Sequence, residues 1–538
     1  MTKPPPSSTK RPNFLFIITD QQRADYLGCM GHPLLKTPHI DSIAETGTRF
    51  NRFYVANPVC MPNRASLMTG RMPRSHGVRS NGIPLSVRSN TFVDVLSAGG
   101  YRTALIGKSH LQNFTGIAPA QKPPTADLPA PTGVLAQALR PDAPQEDYAH
   151  EAPQSWERDD FELPLPFYGF EYVRLCTAHG DRVGGDYLRW VRAQGVDPST
   201  LVGPKNGLAH DYECPQAWRT AIPEALYPTN YIAGQTVRYL EEHQQTTPDD
   251  PFFLMMSLPD PHHPFTPPGR YWDMYDPDEV ELPASFHTLS DNPPPTLAWA
   301  MNERVEGKVT RDAGQFLFVV NEREAREAIA LTCGMLALID DAVGNVLNTL
   351  QRLNLDENTV VVFTSDHGDF LGDHRLLLKG PIHRQSLVRV PCLWRDPMAP
   401  TASTQSDRLS STVDLAPSIL ERAGLAPYQG MQGQSFAGEL GPTHEGPDCV
   451  IIEDDQQRTV LGFDSSPRVH TLITRHWRMS IYDNTDWGEL YNLSNDPNEL
   501  CNLWDDQAHR AQKGELMEMF LRRQIALVDR SPLPSALA

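Results

Sequence analysis

Long hydrophobic runs are scarce in this chain. Its first residues, MTKPPPSSTKRPN, are polar and proline-rich, and the first apolar run, 14–19, is too short for a signal-peptide core or a membrane span. No later stretch reads as spanning length, so the expectation is a soluble cytoplasmic protein without a membrane partner. Basic residues are in deficit, 47 Lys+Arg against 66 Asp+Glu, for a formal net charge of −19. That balance argues against nonspecific binding to nucleic acid or to an anionic bilayer, both of which select basic surfaces. It also means that an anionic substrate must meet a locally basic pocket. Cysteine is sparse. The eight thiols at 29, 60, 176, 214, 333, 392, 449 and 501 show neither CxxC nor zinc-type spacing, which reads as reduced thiols rather than a disulfide framework. Internal repeats are missing too.

What is there suffices for a large core: 538 residues, 40% of them hydrophobic, enough for two structural units. Residues 13–20 (NFLFIITD), 101–107 (YRTALIG), 252–258 (FFLMMSL) and 359–365 (TVVVFTS) read as buried strands. Helical periodicity marks 91–98, 231–242, 325–353 and 414–423. Strands alternating with helices predict an α/β fold around a large, mostly parallel sheet flanked by helices. Residues 116–164, rich in Pro, Ala and Asp, read as a surface insertion. From about 436 the pattern changes to short strands at 450–453, 468–474 and 477–482 and a last helix near 508–529. The expected division is therefore a catalytic domain, 1–435, and a C-terminal antiparallel-sheet subdomain, 436–538.

Open α/β sheets place their sites at the carboxyl ends of the strands. Two of the expected strands end in polar pairs, Asp20-Gln21 and Asp366-His367. Two carboxylates, an amide oxygen and an imidazole make a divalent-metal donor set, and the imidazole favours manganese over calcium. The segment 57–71, NPVCMPNRASLMTGR, contains C-x-P-x-R as Cys60, Pro62 and Arg64, followed by Thr69-Gly70-Arg71.

With this motif the chain resembles the type I sulfatases of the alkaline phosphatase superfamily. In them the motif directs oxidation of its cysteine to formylglycine by a maturing enzyme. Further boxes follow in order: His76-Gly77-Val78 with Asn81-Gly82, Gly107-Lys108-Ser109-His110, Pro261-His262-His263-Pro264, Ser365-Asp366-His367-Gly368 and Lys379-Gly380-Pro381. Glu489-Leu490-Tyr491-Asn492-Leu493 and Asn495-Asp496-Pro497-Asn498-Glu499 resemble the family's C-terminal signature, which is structural. The resemblance implies the alkaline phosphatase-like fold and a hydrolase cleaving sulfate esters. It implies residue 60 as the nucleophile in the form of formylglycine, a hydrated aldehyde with one hydroxyl to attack sulfur and one to expel sulfate. It implies a single metal on Asp20, Gln21, Asp366, His367 and residue 60. Lys108, Lys379 and Asn81 are expected on the sulfate oxygens, and Arg64 is expected to orient residue 60. His262 is expected to protonate the leaving group and to touch substrate, and His110 to take the proton in the elimination; these two roles could be exchanged. His263, His374 and His383 lie close to the boxes without an assigned role.

The chain departs from the family in its metal boxes. Many sulfatases carry Asp-Asp and Asp-Asn where this chain has Asp20-Gln21 and Asp366-His367. The pairs here are similar to those of the phosphonate monoester hydrolase and choline sulfatase branches. Phosphonate monoester hydrolases tend to replace the Lys and His of the Gly-Lys-x-His box, and retention of Lys108 and His110 points to sulfate esters. A phosphonate monoesterase or phosphodiesterase with the same site is the alternative, and an inactive sulfatase-like binding protein the remaining one. The expected partners are a small-molecule ester and the formylglycine-generating enzyme; self-association into a homo-oligomer stays open.

Overall fold

The structure is a computed structural model and describes residues 11–538 except 118–134, 136–137, 289, 291, 308–315, 400–403, 439, 441–445 and 538. Nine strands form the main sheet: β1 (Asn13–Thr19), β2 (Thr48–Phe50), β3 (Arg102–Lys108), β4 (Tyr172–Thr177), β5 (Gly184–Gly185), β6 (Phe252–Ser257), β7 (Thr359–Ser365), β8 (Cys392–Arg395) and β9 (Thr404–Ser406). Their order is β9-β2-β8-β7-β1-β6-β3-β4-β5. The central run from β7 to β4 is parallel, whereas β8 and β5 are antiparallel to their neighbours.

The strands are continuous apolar runs because helices cover both faces, so both alternating sets of side chains are buried. Phe14, Phe16, Ile18, Met255, Val360 and Val362 face one layer. It is built from α1 (Cys60–Thr69), α2 (Phe92–Ala98) and a later helix, Leu415–Arg422. Leu15, Ile17, Leu254, Met256, Val361 and Phe363 face the other, built from α3 (Pro228–Thr246) and α4 (Glu322–Arg352). Each fully buried aliphatic or aromatic side chain contributes about 1.5–3 kcal/mol.

Helix α4 corrects one expectation. Started by a capping box between Asn321 and Glu324, it runs 31 residues and is long and apolar enough, by length and composition, to cross a bilayer. Its apolar window is 89% buried against the sheet and α3, so the hydrophobicity is that of a core helix. The expected insertion, 116–164, lies partly outside the described residues; its described remainder folds as short turns around Gln145–Tyr148 and Pro153–Trp156.

Four further strands, β10 (Cys449–Asp455), β11 (Arg468–Thr474), β12 (Trp477–Tyr482) and β13 (Gly488–Asn492), form a separate antiparallel meander. Its apolar face (Ile451, Leu472, Met479, Leu490) packs with Leu516 and Phe520 of the last helix, Arg510–Ala526. The C-terminal boxes bond to the segment that follows Lys379. Arg478 donates to both Glu489 and Glu499, the Glu499 carboxylate accepts from Gln385 N at 2.8 Å, and its carbonyl accepts from Arg384 at 3.1 Å. Both guanidinium groups lie 4.6 Å from the Tyr491 ring. Tyr482 Oη donates to the Pro381 carbonyl at 3.1 Å. These contacts fasten the loop that carries Lys379.

Candidate active site

The register sets the site. Thr19 pairs with Ser365, Ile18 with Ser257 and Gly107 with Ser257, so β7, β1, β6 and β3 end at one level. Asp20, Asp366 and Lys108 therefore emerge together. Gly107 is required for this: with φ +112°, a Cβ there would meet the Ser257 carbonyl oxygen at 1.8 Å.

Cys60 is the first residue of α1, whose ten residues are all buried. Pro62 falls in the first turn, where its missing N–H costs nothing, and Gly70, left-handed at φ +64°, ends the helix. C-x-P-x-R with TGR is thus the start and stop of one buried helix, with the cysteine at its electropositive end. Asn63 ties this helix to the strand end, donating to the Asp366 carbonyl at 2.5 Å.

Around Cys60 the expected residues converge. Its Sγ lies 3.2 Å from His367 Nε2, 3.2 Å from Lys379 Nζ and 4.0 Å from Asp20. Lys379 Nζ is also 3.0 Å from Gln21 Oε1, 2.8 Å from His262 Nε2 and 3.1 Å from His367 Nε2. Lys108 pairs with Asp20. Burial opposes thiolate formation, but the charges of Lys379 and Lys108 outweigh it and hold the Cys60 thiol well below its usual range. Burial pushes His110 down to about 3, helped by Lys108, and burial with His179 and Lys379 pushes His262 down; both rings are neutral.

Donor atoms of Asp20, Asp366, His367 and residue 60 lie within 4.8 Å of one another. His367 Nδ1 is 2.9 Å from the Gly368 carbonyl, which fixes the proton there and leaves the Nε2 lone pair facing the site. Gln21 donates through Nε2 to Asp369 and to His263 Nδ1, which turns its oxygen inward. Two buried carboxylates, an amide oxygen and an imidazole nitrogen aimed at one point fit a divalent cation.

Two expected residues sit differently from their expected roles. Arg64 holds the carboxylate and strand ends rather than the side chain of residue 60: Nε to Asp366 at 2.7 Å, and one terminal nitrogen to Ser257 Oγ at 2.9 Å and the Lys108 carbonyl at 3.1 Å. Asn81 accepts from Met61 N at 3.1 Å and so caps the helix that begins at Cys60. The other side residues also separate: His383 bonds Thr471 and Asp454 of the C-terminal sheet.

Sequence reasoning missed three residues. His179, just after β4, lies with Nε2 2.7 Å from Lys108 Nζ and is stacked on His262 at 3.6 Å and 10°. His263 orients Gln21. Glu151, from the insertion, is fully buried and accepts from the backbone N–H groups of His110, Leu111 and Gln112 at 2.8–2.9 Å. It holds His110, whose φ is +58°, against Phe114. Neither His179 nor Glu151 belongs to a recognisable spacing, whereas His263 stands beside His262 in its box and lacked only a role.

The comparisons agree with this geometry. The family model described as Sulfatase matches residues 12–140 and 176–425, together well over half of the chain. A model for the C-terminal region of N-sulphoglucosamine sulphohydrolase matches 372–525. An arylsulfatase of Clostridium perfringens is 26% identical, with 95% of this chain and 94% of that one covered. A multifunctional alkaline phosphatase superfamily protein of Trinickia caryophylli is 25% identical over 97% of this chain and 96% of its own. The phosphonate monoester hydrolase of Agrobacterium radiobacter shares the fold, with TM-score 0.76, 24% identity and 98% of each chain covered. The chain belongs to the sulfatase family, the sulfuric ester hydrolases.

Proposed function

We propose that this protein hydrolyses sulfate monoesters to alcohol or phenol plus sulfate. The nucleophile is residue 60 after a maturing enzyme oxidises Cys60 to formylglycine, and one divalent metal is held by Asp20, Gln21, Asp366 and His367. The observation that carries the reading is the placement of Cys60: buried, at a helix N-terminus, 3.2 Å from both Lys379 Nζ and His367 Nε2. When bound, the metal supplies Lewis acidity toward a sulfate oxygen and acidifies the nucleophile. The aldehyde hydrate supplies two hydroxyls on one carbon, which allows sulfate to be released. The nitrogen ligand favours manganese over calcium.

The chain's own residues do the rest. Lys108 and Lys379 face the remaining anionic oxygens. Neutral His262 receives an N–H from Lys379, and this couple delivers the proton to the leaving oxygen. Neutral His110, pushed down by burial and stacked on Phe114, takes the proton in the elimination. Arg64 and Asn81 act indirectly, through the carboxylates and the helix start.

A second reading, phosphonate monoester or phosphodiester hydrolysis at the same site, is favoured by the Asp-Gln and Asp-His donor pairs. Turnover of an aryl sulfate and an aryl phosphonate with the same phenol separates the two. A higher kcat/KM for the sulfate is expected; a higher value for the phosphonate overturns the preference while leaving the site intact.

A further inference from the structure

The reacting groups adjoin a cavity of about 630 Å3, within the range of small-molecule sites. His179 and His263 line it on the side of the reacting groups, and Phe114 and Trp218 contribute aromatic surface. Among the described residues no acidic side chain lines this cavity, although the chain carries 66 Asp and Glu. Among the described residues the one permanently charged lining group is Arg182, exposed, its guanidinium 4.9 Å from the Trp218 ring.

Trp218 is a firm base for that stacking, since its indole N–H donates to Asp181 Oδ2 at 2.8 Å. The same oxygen also accepts from Gly203 N and Thr220 Oγ1, so Asp181 is turned into the core. Among the described residues no carboxylate forms an ion pair with Arg182. A guanidinium seated over an indole, with no carboxylate partner among the described residues, is a preorganised carboxylate or sulfate receptor. The esterified sulfate has other partners in Lys108, Lys379 and the metal donors, none of which Arg182 touches. Its charge is therefore available to a different part of the substrate.

We propose that the organic part of the substrate carries a second anionic group, a carboxylate or a further sulfate, bound by Arg182, with its ring seated against Phe114 and Trp218. This rests on the sulfatase reading.

The test compares 3- and 4-carboxyphenyl sulfate with the matching carboxamides, whose leaving groups are of similar acidity. Wild-type, aldehyde-bearing, manganese-loaded enzyme should favour a carboxylate over its carboxamide by about tenfold or more in kcat/KM, the scale of a charge-assisted hydrogen bond. Added salt should shrink the ratio. Arg182→Gln should bring the ratio near one, and Arg182→Lys should retain part of it. A wild-type ratio near one, or a ratio that Arg182→Gln leaves unchanged, overturns the inference; damage to the fold would lower both rates and keep their ratio. No turnover of any of the four sulfates overturns the sulfatase reading, and this inference with it.

Discussion

Glu151→Gln probes how the insertion serves the reaction. One carboxylate oxygen accepts from His110 N, the other from Leu111 N and Gln112 N, all inside the protein. An amide keeps one oxygen and turns an NH2 group toward a backbone N–H, leaving a buried donor unpaired at a cost of about 1–3 kcal/mol. The released loop carries His110, whose left-handed backbone depends on these bonds. Misplacing a reacting group by about 1 Å costs roughly a hundredfold, so kcat should fall tenfold to a hundredfold while KM changes little. The pH dependence sharpens the test. Burial pushes the Glu151 carboxyl up to about 7 from its ordinary 4.5, against the pull of the backbone donors. A raised carboxyl pKa means that folding favours the protonated form. That stability is fully present below pH 4.5 and is lost as pH rises toward 7, by about 3 kcal/mol in all. The variant does not titrate there, so the wild type's advantage in urea unfolding should shrink between pH 5 and pH 8. A gap that widens with pH, or a variant with normal kcat, would refute the reasoning.

Four groups of measurements extend the account. Glu489→Gln leaves Arg384 and Arg478 buried beside one carboxylate fewer and should cost about 3–5 kcal/mol by urea unfolding. Despite burial, these arginines hold Glu489 down to about 2, so wild-type stability from this group should be lost as pH falls from 4.5 through 2. His179→Ala removes the acceptor that steadies Lys108; kcat/KM on an aryl sulfate should fall about tenfold or more, with the melting transition little moved. Replacing both Lys108 and His110 with neutral polar residues should reduce sulfatase activity far more than phosphonate activity, and equal losses would show that the pair does not set the preference. Chelation should abolish activity, with manganese restoring it best; full recovery with calcium alone would contradict the metal assignment.

The strands were legible because a parallel strand buried on both faces is an unbroken apolar run, as in 13–19 and 359–365, and because a carboxylate follows the run. The boxes were legible because each packs several constraints into adjacent residues: Gly107 for close strand approach, Lys108 for charge, Gly70 for the helix stop. Helix α1 was not read as a helix, since all ten residues are buried and no polar face gives the sequence a period. The short strands β4 and β8 carry little pattern, and β4 contains Arg174 at mid-strand. His179 and Glu151 reach the site only through folding. A lone His after β4 and a Glu in a proline-rich insertion look the same in sequence as solvated surface residues. Asn81 and Arg64 lie near the centre, but Asn81 accepts from a helix start and Arg64 donates to strand ends, partners that one-dimensional spacing does not reveal.

The central claim concerns the chemical state of residue 60. Trypsin should release residues 53–64, FYVANPVCMPNR, which carry Cys60, Pro62 and Arg64 on one peptide. In catalytically active protein, mass spectrometry should find this peptide lighter than its cysteine form, inert to thiol alkylation and reactive with carbonyl reagents. Full activity in protein whose residue 60 is entirely unmodified thiol would contradict the account.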